Sequence, residues 1–237
     1  MVSRTIDAFL ITCEHGDNRI PPAYRALFDG LQPLLDTHRG YDPGALRMAI
    51  DLAAAFGAPL VSSTVSRLLV DLNRSLGHRQ LFSAATREIP RALREDILAR
   101  HYRPYRTEVE RLAAQFVARR RRVLHISSHS FTPVLDGNVR TTDIGLLYDP
   151  ARHGERALAA RWKIALEARS PALRVRRNYP YQGKGDGLTS HLRSRFPATA
   201  YVGVELEINQ QIVFDGGRPW SRLRQQLIES LREAAGD

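Results

Sequence analysis

The stretch Phe9-Leu10-Ile11-Thr12-Cys13-Glu14-His15-Gly16-Asp17-Asn18-Arg19-Ile20-Pro21 starts as an apolar run and ends as a polar turn. A short apolar segment followed at once by a carboxylate, an imidazole, a glycine and an amide reads as a buried strand that delivers ionisable side chains at its exit. Sheets flanked by helices bind ligands beyond the carboxyl ends of their strands, so the stretch predicts an α/β fold with a site at that edge. An imidazole held there can bind a metal or carry a proton.

Working outward, strand-like runs alternate with longer helical patterns along the chain. Strands are expected at Ala8–Thr12, Leu60–Thr64, Arg122–Ser127, Leu173–Arg177 and Tyr201–Ile208, with Leu68–Asp71 and Gly145–Tyr148 as shorter or irregular candidates. Asp42-Pro43-Gly44-Ala45 reads as a helix start, with Asp42 able to cap, Pro43 suited to the first turn and Gly57 as terminator. Longer helices are expected at Arg91–Arg119, Glu155–Ala168 and Arg218–Ala234, the last with Trp220, Leu223, Leu227 and Leu231 on one stripe. The glycine-rich Asn178–Gly187 segment suits an irregular lid or anion-binding loop. No linker or repeat divides the sequence. The expected fold class is α/β: a single domain over 1–237, built on a mixed, mostly parallel β-sheet with helices on both faces.

The 237 residues and their 43% hydrophobic content can fill a real core. No run nears the roughly 18 apolar residues that span a bilayer, and the first residues lack a secretory apolar segment, so a soluble, cytoplasmic protein is expected. One cysteine, Cys13, rules out an internal disulfide and a Cys-rich zinc module. Any metal must therefore use His and carboxylate donors. The net charge of +10 is compatible with nucleic acid or with an acidic substrate, but no nucleic-acid-binding motif accompanies it. The densest run, Arg119–Arg122, suits a solvated helix end.

Ionisable residues gather at the predicted strand ends. Glu14, His15 and Asn18 follow the first strand, His129 follows the strand holding His125, and Val204-Glu205-Leu206-Glu207 sends both glutamates to one face. Two carboxylates on one side of a buried strand need a cation, a metal or a helix end. Two histidines and a carboxylate from separate strand ends would form an open zinc site, with a nearby glutamate to accept a proton from water. His125, inside its strand, fits packing or support. In Asp71-Leu72-Asn73-Arg74 a guanidinium fork and an amide suit bidentate binding of a substrate carboxylate, with Asp71 holding Arg74.

These segments, in this order, resemble the N-formylglutamate amidohydrolase family. The matching blocks are Thr12–Pro21, His38–Ala45, Ser66–Ser75, His129–Pro133, Asp143–Asp149, Asn178–Tyr181 and Glu205–Gln210, and the resemblance as a whole covers about residues 7 to 230. The resemblance implies a fold similar to zinc carboxypeptidases and aspartoacylases, one catalytic Zn2+ per chain, and cleavage of N-formyl-L-glutamate by a zinc-bound water with a glutamate base. His15 and His129 are the implied metal ligands, Glu207 the catalytic glutamate, and Asn73-Arg74 the carboxylate-binding pair. Arg19 and His191 are further candidates for substrate contact. Relatives carry a glutamate three residues after the first histidine, whereas this chain has Asn18. The third ligand is then Asp42 or Glu14. Asp42 is preferred, because Glu14 beside His15 would tend to point elsewhere.

The leading expectation is thus a zinc amidohydrolase acting on a small acidic N-acyl amino acid, with no role at membranes. Two alternatives are a peptidase or amidase for peptide or cell-wall substrates on the same scaffold, and a basic nucleic-acid-binding protein. The last leaves the strand-end cluster unexplained.

Overall fold

The apolar runs pair as strands because each can bury both faces between helices. A computed structural model describes residues 7–236. Its strands are β1 (Asp7–Cys13), β2 (Leu60–Ser62), β3 (Arg122–Phe131), the hairpin pair β4 (Val134–Leu135) and β5 (Asn138–Val139), β6 (Ile144–Leu147), β7 (Val175–Arg177) and β8 (Tyr201–Asn209). The helices are α1 (Gln32–Leu35), α2 (Ala45–Phe56), α3 (Ala84–Arg87), α4 (Arg91–Ile97), α5 (Arg103–Ala118), α6 (His153–Arg169), α7 (Leu188–Arg195), α8 (Gln210–Asp215) and α9 (Gly217–Ala235). Six strands form one sheet in the order β2-β1-β3-β8-β6-β7. All neighbours run parallel except β6 against β8. The expected mixed, mostly parallel sheet is therefore present.

Alternation along the strands splits the core in two. Phe9, Ile11, Leu124, Ile126, Val204 and Leu206 pack on one face with α2, α6 and α9. Leu10, Val123 and Tyr201 pack on the other with α5, α7 and the loops between β2 and α4. Trp162 of α6 is fully buried and donates to Ser230 of α9, so its one polar atom is satisfied. Cys13 is fully buried and packs with the first face. Among the described residues no helix is long and apolar enough to cross a membrane.

Four local expectations are corrected. Leu68–Asp71 is a turn, not a strand. Its apolar side chains are buried, but Ser66 Oγ accepts from Leu68 N and Thr86 Oγ1 donates to the carbonyls of Leu68 and Leu69, so this backbone is satisfied without a neighbouring strand. The helix expected over Arg91–Arg119 is interrupted by a π-turn at Leu98–Tyr102, just before Pro104 in the first turn of α5. Proline has no amide to continue the ladder, and the wider turn absorbs that gap. Asp42 does not cap α2: the capping position is Gly44 at φ +81°, and the Asp42 side chain is engaged elsewhere. The arginine run does not simply end a helix either. It turns from α5 into β3, where Arg121 donates to the Asp7 carbonyl and Arg122 pairs bidentately with the Asp7 carboxylate.

Ile126, fully buried in the interior strand β3, tests this core. Ile126→Ala should lower the unfolding free energy by about 2–5 kcal/mol, with no loss of secondary structure by circular dichroism. Urea denaturation checks it.

Candidate active site

At the carboxyl edge of the sheet the core face that packs on α5 turns from apolar to polar. Thr12 and His125 bond at 2.9 Å, and His125 reaches Tyr201 OH at 2.6 Å, forming one polar row across β1, β3 and β8. Burial lowers the His125 pKa to about 4, so this imidazole is a neutral supporting group. The next row holds Glu14, Ser127 and His129. Beyond it come His15 and the loops.

The turn after β1 is fixed by close backbone packing. Gly16 N bonds to Ser63 O at 3.0 Å, and a Cβ on Gly16 would lie 2.6 Å from that oxygen. Asp42 N in turn bonds to His15 O at 2.9 Å. On the opposite face of β3, Ser128 Oγ and Ser130 Oγ donate to the carbonyls of Ala45 and Pro43, which seats the start of α2 and brings Asp42 to the sheet edge. The tetrad Ser127-Ser128-His129-Ser130 thus places a site histidine with one set of side chains and the opposing loop with the other.

His15 Nδ1 and His129 Nδ1 both face Asp42 Oδ2, at 3.3 and 2.9 Å. Their other nitrogens are held by separate carboxylates: His15 Nε2 by Asp71 at 2.8 Å and His129 Nε2 by Glu14 at 2.9 Å. With a proton on each Nε2 for those carboxylates, a bound cation in place of the second proton would meet two Nδ1 lone pairs aimed at one region. One donor atom each from His15, Asp42 and His129 lies within 4.8 Å of the others, and all three residues are buried. Burial alone would raise the pKa of Asp42, but His15, His129 and Arg67 hold it far below the usual carboxylate range. Burial would also lower that of His129, yet its bonds to Asp42 and Glu14 push it well above the ordinary value. Positive charge is therefore favoured at the point the three side chains surround, and this donor set fits a divalent cation.

Beside the triad lies a cavity of about 380 Å³ whose wall includes Arg67, Asn73, Arg74, Glu205 and Glu207. Glu207, beside His129 across the β3–β8 pair, is buried and its Oε2 has no partner among the described residues. Burial raises its pKa to about 8. Glu205 shares the face but accepts from Thr189 Oγ1. Arg74 donates to Asp186 O at 2.9 Å, and its Nε is buried without a partner among the described residues. Asn73 Oδ1 accepts from Leu188 N, and the amide nitrogen makes no hydrogen bond among the described residues. The Asn178–Gly187 segment roofs the cavity with Tyr181, Gln182, Gly185 and Asp186, and Asp186 is tied to Ser75.

A family model described as N-formylglutamate amidohydrolase matches residues 7–214. The chain belongs to the N-formylglutamate amidohydrolase family. Membership places it among enzymes that cleave amides with water. Two crystal structures share the fold. Gene product Atu2144 from Agrobacterium tumefaciens is 30% identical, with a TM-score of 0.84 over 98% of this chain and 92% of that one. An N-formylglutamate amidohydrolase from Ralstonia eutropha JMP134 is 19% identical, with a TM-score of 0.68 over 97% of this chain and 94% of that one. No curated protein matches the sequence.

Within this family fold the candidate residues fall into two groups. His15, Asp42, His129, Asn73, Arg74 and Glu207 come together around one cavity. Arg19 and His191 do not: Arg19 is exposed and donates to Thr64 Oγ1, while His191 pairs with Glu110 at 3.0 Å. Asn18 donates to Asp36 rather than joining the histidines. Asp71 does not hold Arg74 through a side-chain bond, since its oxygens go to His15, Arg67 and Asn73 N. Glu14 does point away from the donor cluster. It grips His129 from below and accepts from Tyr105 OH at 2.7 Å and Ser127 Oγ at 2.6 Å. Arg67 and Tyr105 were not singled out from sequence. Tyr105 carries no strand-end signal, whereas Arg67, seven positions before Arg74 and four before Asp71, could have been found as an i,i+4 ion-pair partner.

Tyr105→Phe removes one donor from the fully buried Glu14 and should cost about 1–3 kcal/mol of stability. Chemical denaturation of the two proteins measures the difference.

Proposed function

We propose that this protein is a zinc-dependent amidohydrolase that removes a small acyl group from the nitrogen of an acidic amino acid, with N-formyl-L-glutamate as substrate and formate and L-glutamate as products. One observation carries the reading. The buried, unpartnered Glu207 Oε2 lies in the same cavity as the convergent His15, Asp42 and His129 donors. A carboxylate left bare there needs a substrate, a water or a cation to justify its burial. The name of the Ralstonia eutropha relative agrees with the substrate assigned.

His15, Asp42 and His129 would hold the metal, and Asp71 and Glu14 would orient the two imidazoles. The chemistry such a cation supplies is Lewis acidity, which polarises a carbonyl and makes water more acidic. Zn2+ suits two imidazoles and one carboxylate. Glu207 accepts a proton from the attacking water and returns it to the departing amine nitrogen. Its raised proton affinity fits that exchange near neutral pH. Arg67, pinned by Asp71, keeps positive charge on the cavity wall for a carbonyl oxygen as it gains charge. Arg74 and Asn73 receive the substrate's carboxylate, and the Asn178–Gly187 roof limits water.

The direct test is metal analysis of the purified protein followed by assays with N-formyl and N-acetyl amino acids. About one zinc per chain and preferential hydrolysis of N-formyl-L-glutamate are expected. His129→Ala should lose the metal and the activity but stay folded, and full metal retention would refute the ligand set. Glu207→Gln should keep the metal and lower turnover at least ~100-fold. If Glu205→Gln were damaging and Glu207→Gln silent, the base would be misassigned. Arg74→Lys keeps the charge but loses the fork, and should cost about 1.5–3 kcal/mol in kcat/KM. That loss should shrink for substrates whose carboxylate is converted to an amide.

A further inference from the structure

The cavity does not end at Arg74. A groove leaves it in two successive stretches of about 360 and 590 Å³. The first stretch shares His38, Arg67 and Arg74 with the cavity, and the second shares Phe82 and Arg87 with the first. The three spaces therefore lie end to end, each bordered by side chains it shares with the next, starting at the carboxylate clamp.

Cations line the path. Arg39 and Arg87 border the first stretch, and Arg79, Arg91, Arg94 and Arg103 border the second. Arg103 pairs with Glu95 at 2.8 Å, and Arg94 donates to a backbone carbonyl. Arg39, Arg79, Arg87 and Arg91 make no ion pair among the described residues, although many other surface arginines of this chain do. The floor is apolar: Leu76, 56% exposed, lies with Leu81, Phe82 and Leu98. A ligand that fits must be acidic, elongated and equipped with aliphatic stems. Among the described residues Phe82 is the only Phe, Tyr or Trp along the groove, so it offers no series of stacking platforms for nucleic-acid bases.

We propose that this groove binds an acidic peptide chain whose acylated N-terminal residue lies in the cavity, so that the enzyme deacylates N-acyl acidic oligopeptides as well as single acyl amino acids. The catalytic half of this proposal rests on the amidohydrolase reading above. Chain direction agrees with it. The acyl group enters beside Glu207; in a peptide the first residue's carboxyl is an amide, which passes Arg74 as a carbonyl rather than a free carboxylate, and the further residues continue into the arginine groove, whose cations replace the lost clamp contact. Water adds hydroxyl to the acyl carbon and hydrogen to the amine nitrogen, giving the free acid and the unblocked peptide. No other reactant is needed. A cleft lined by one sign of charge also speeds the arrival of such a ligand.

The test uses the full-length, metal-loaded protein and its Arg87→Glu/Arg91→Glu variant, which leaves the cavity residues untouched. Fluorescence anisotropy with C-terminally labelled N-acetyl-tetraglutamate measures groove binding, and the tetraglutamine analogue is the control. Kinetics compare N-formylglutamate with N-formyl-triglutamate. Expected are salt-sensitive binding of the acidic peptide only, and a lower KM for the longer substrate. The variant should weaken peptide binding and raise KM for N-formyl-triglutamate at least ~10-fold, with N-formylglutamate kinetics unchanged. Absence of peptide binding, with equal kcat/KM for both formyl substrates, would overturn the groove assignment and leave the amidohydrolase reading standing. Groove binding with neither formyl compound hydrolysed would instead overturn deacylation. A single-stranded oligodeoxynucleotide that binds more tightly than the peptide, with the same dependence on Arg87 and Arg91, would overturn the peptide as ligand.

Discussion

Three buried carboxylates, Glu14, Asp42 and Asp71, crowd around two imidazoles, and their charge must be balanced. Buried charge without a partner is among the costliest features a fold can carry, so the surrounding residues are best read as compensation. Arg67 spans Asp42 and Asp71. Tyr105 and Ser127 donate to Glu14. The imidazoles bridge what remains, each between Asp42 and one other carboxylate. Removing any one member leaves its neighbours short of a partner, and this couples the stability of the sheet edge to the arrangement of the site.

Strand β3 makes the arrangement possible. It lies inside the sheet, is buried on both faces, and its side chains alternate between two duties. On the α5 face it presents His125, Ser127 and His129 to polar partners. On the other it anchors the start of α2 through Ser128 and Ser130. A slip of one residue in register would exchange those faces and destroy both. Site and register therefore specify each other.

Much of this was legible in the sequence because strand exits and alternation are local signals. The exit at Glu14-His15 and the pairing of Glu205 with Glu207 on one face both rest on such patterns, whereas Asp42 was reached only through the family resemblance, in which Asn18 replaces the expected glutamate. What escaped depended on distant partners. The apolar run Leu68–Val70 has strand composition, but hydroxyls from Ser66 and Thr86 satisfy its backbone in a turn. Asp71 has a suitable arginine three residues away and another four residues before it, and only the folded loop decides for Arg67. Tyr105 reaches Glu14 from a helix 91 residues later, a contact that no local pattern encodes.

Cys13, the last residue of β1, stands immediately before this charged cluster and is fully buried. Burial, together with the negative charges of Glu14 and Asp42, pushes its thiol well above the ordinary value, so the nucleophilic thiolate is suppressed in the folded protein. The molecule thereby carries a single chemical clock. An alkylating reagent gains access only when the edge of β1 opens, and the extent of labelling over time counts the openings of the strand that delivers His15.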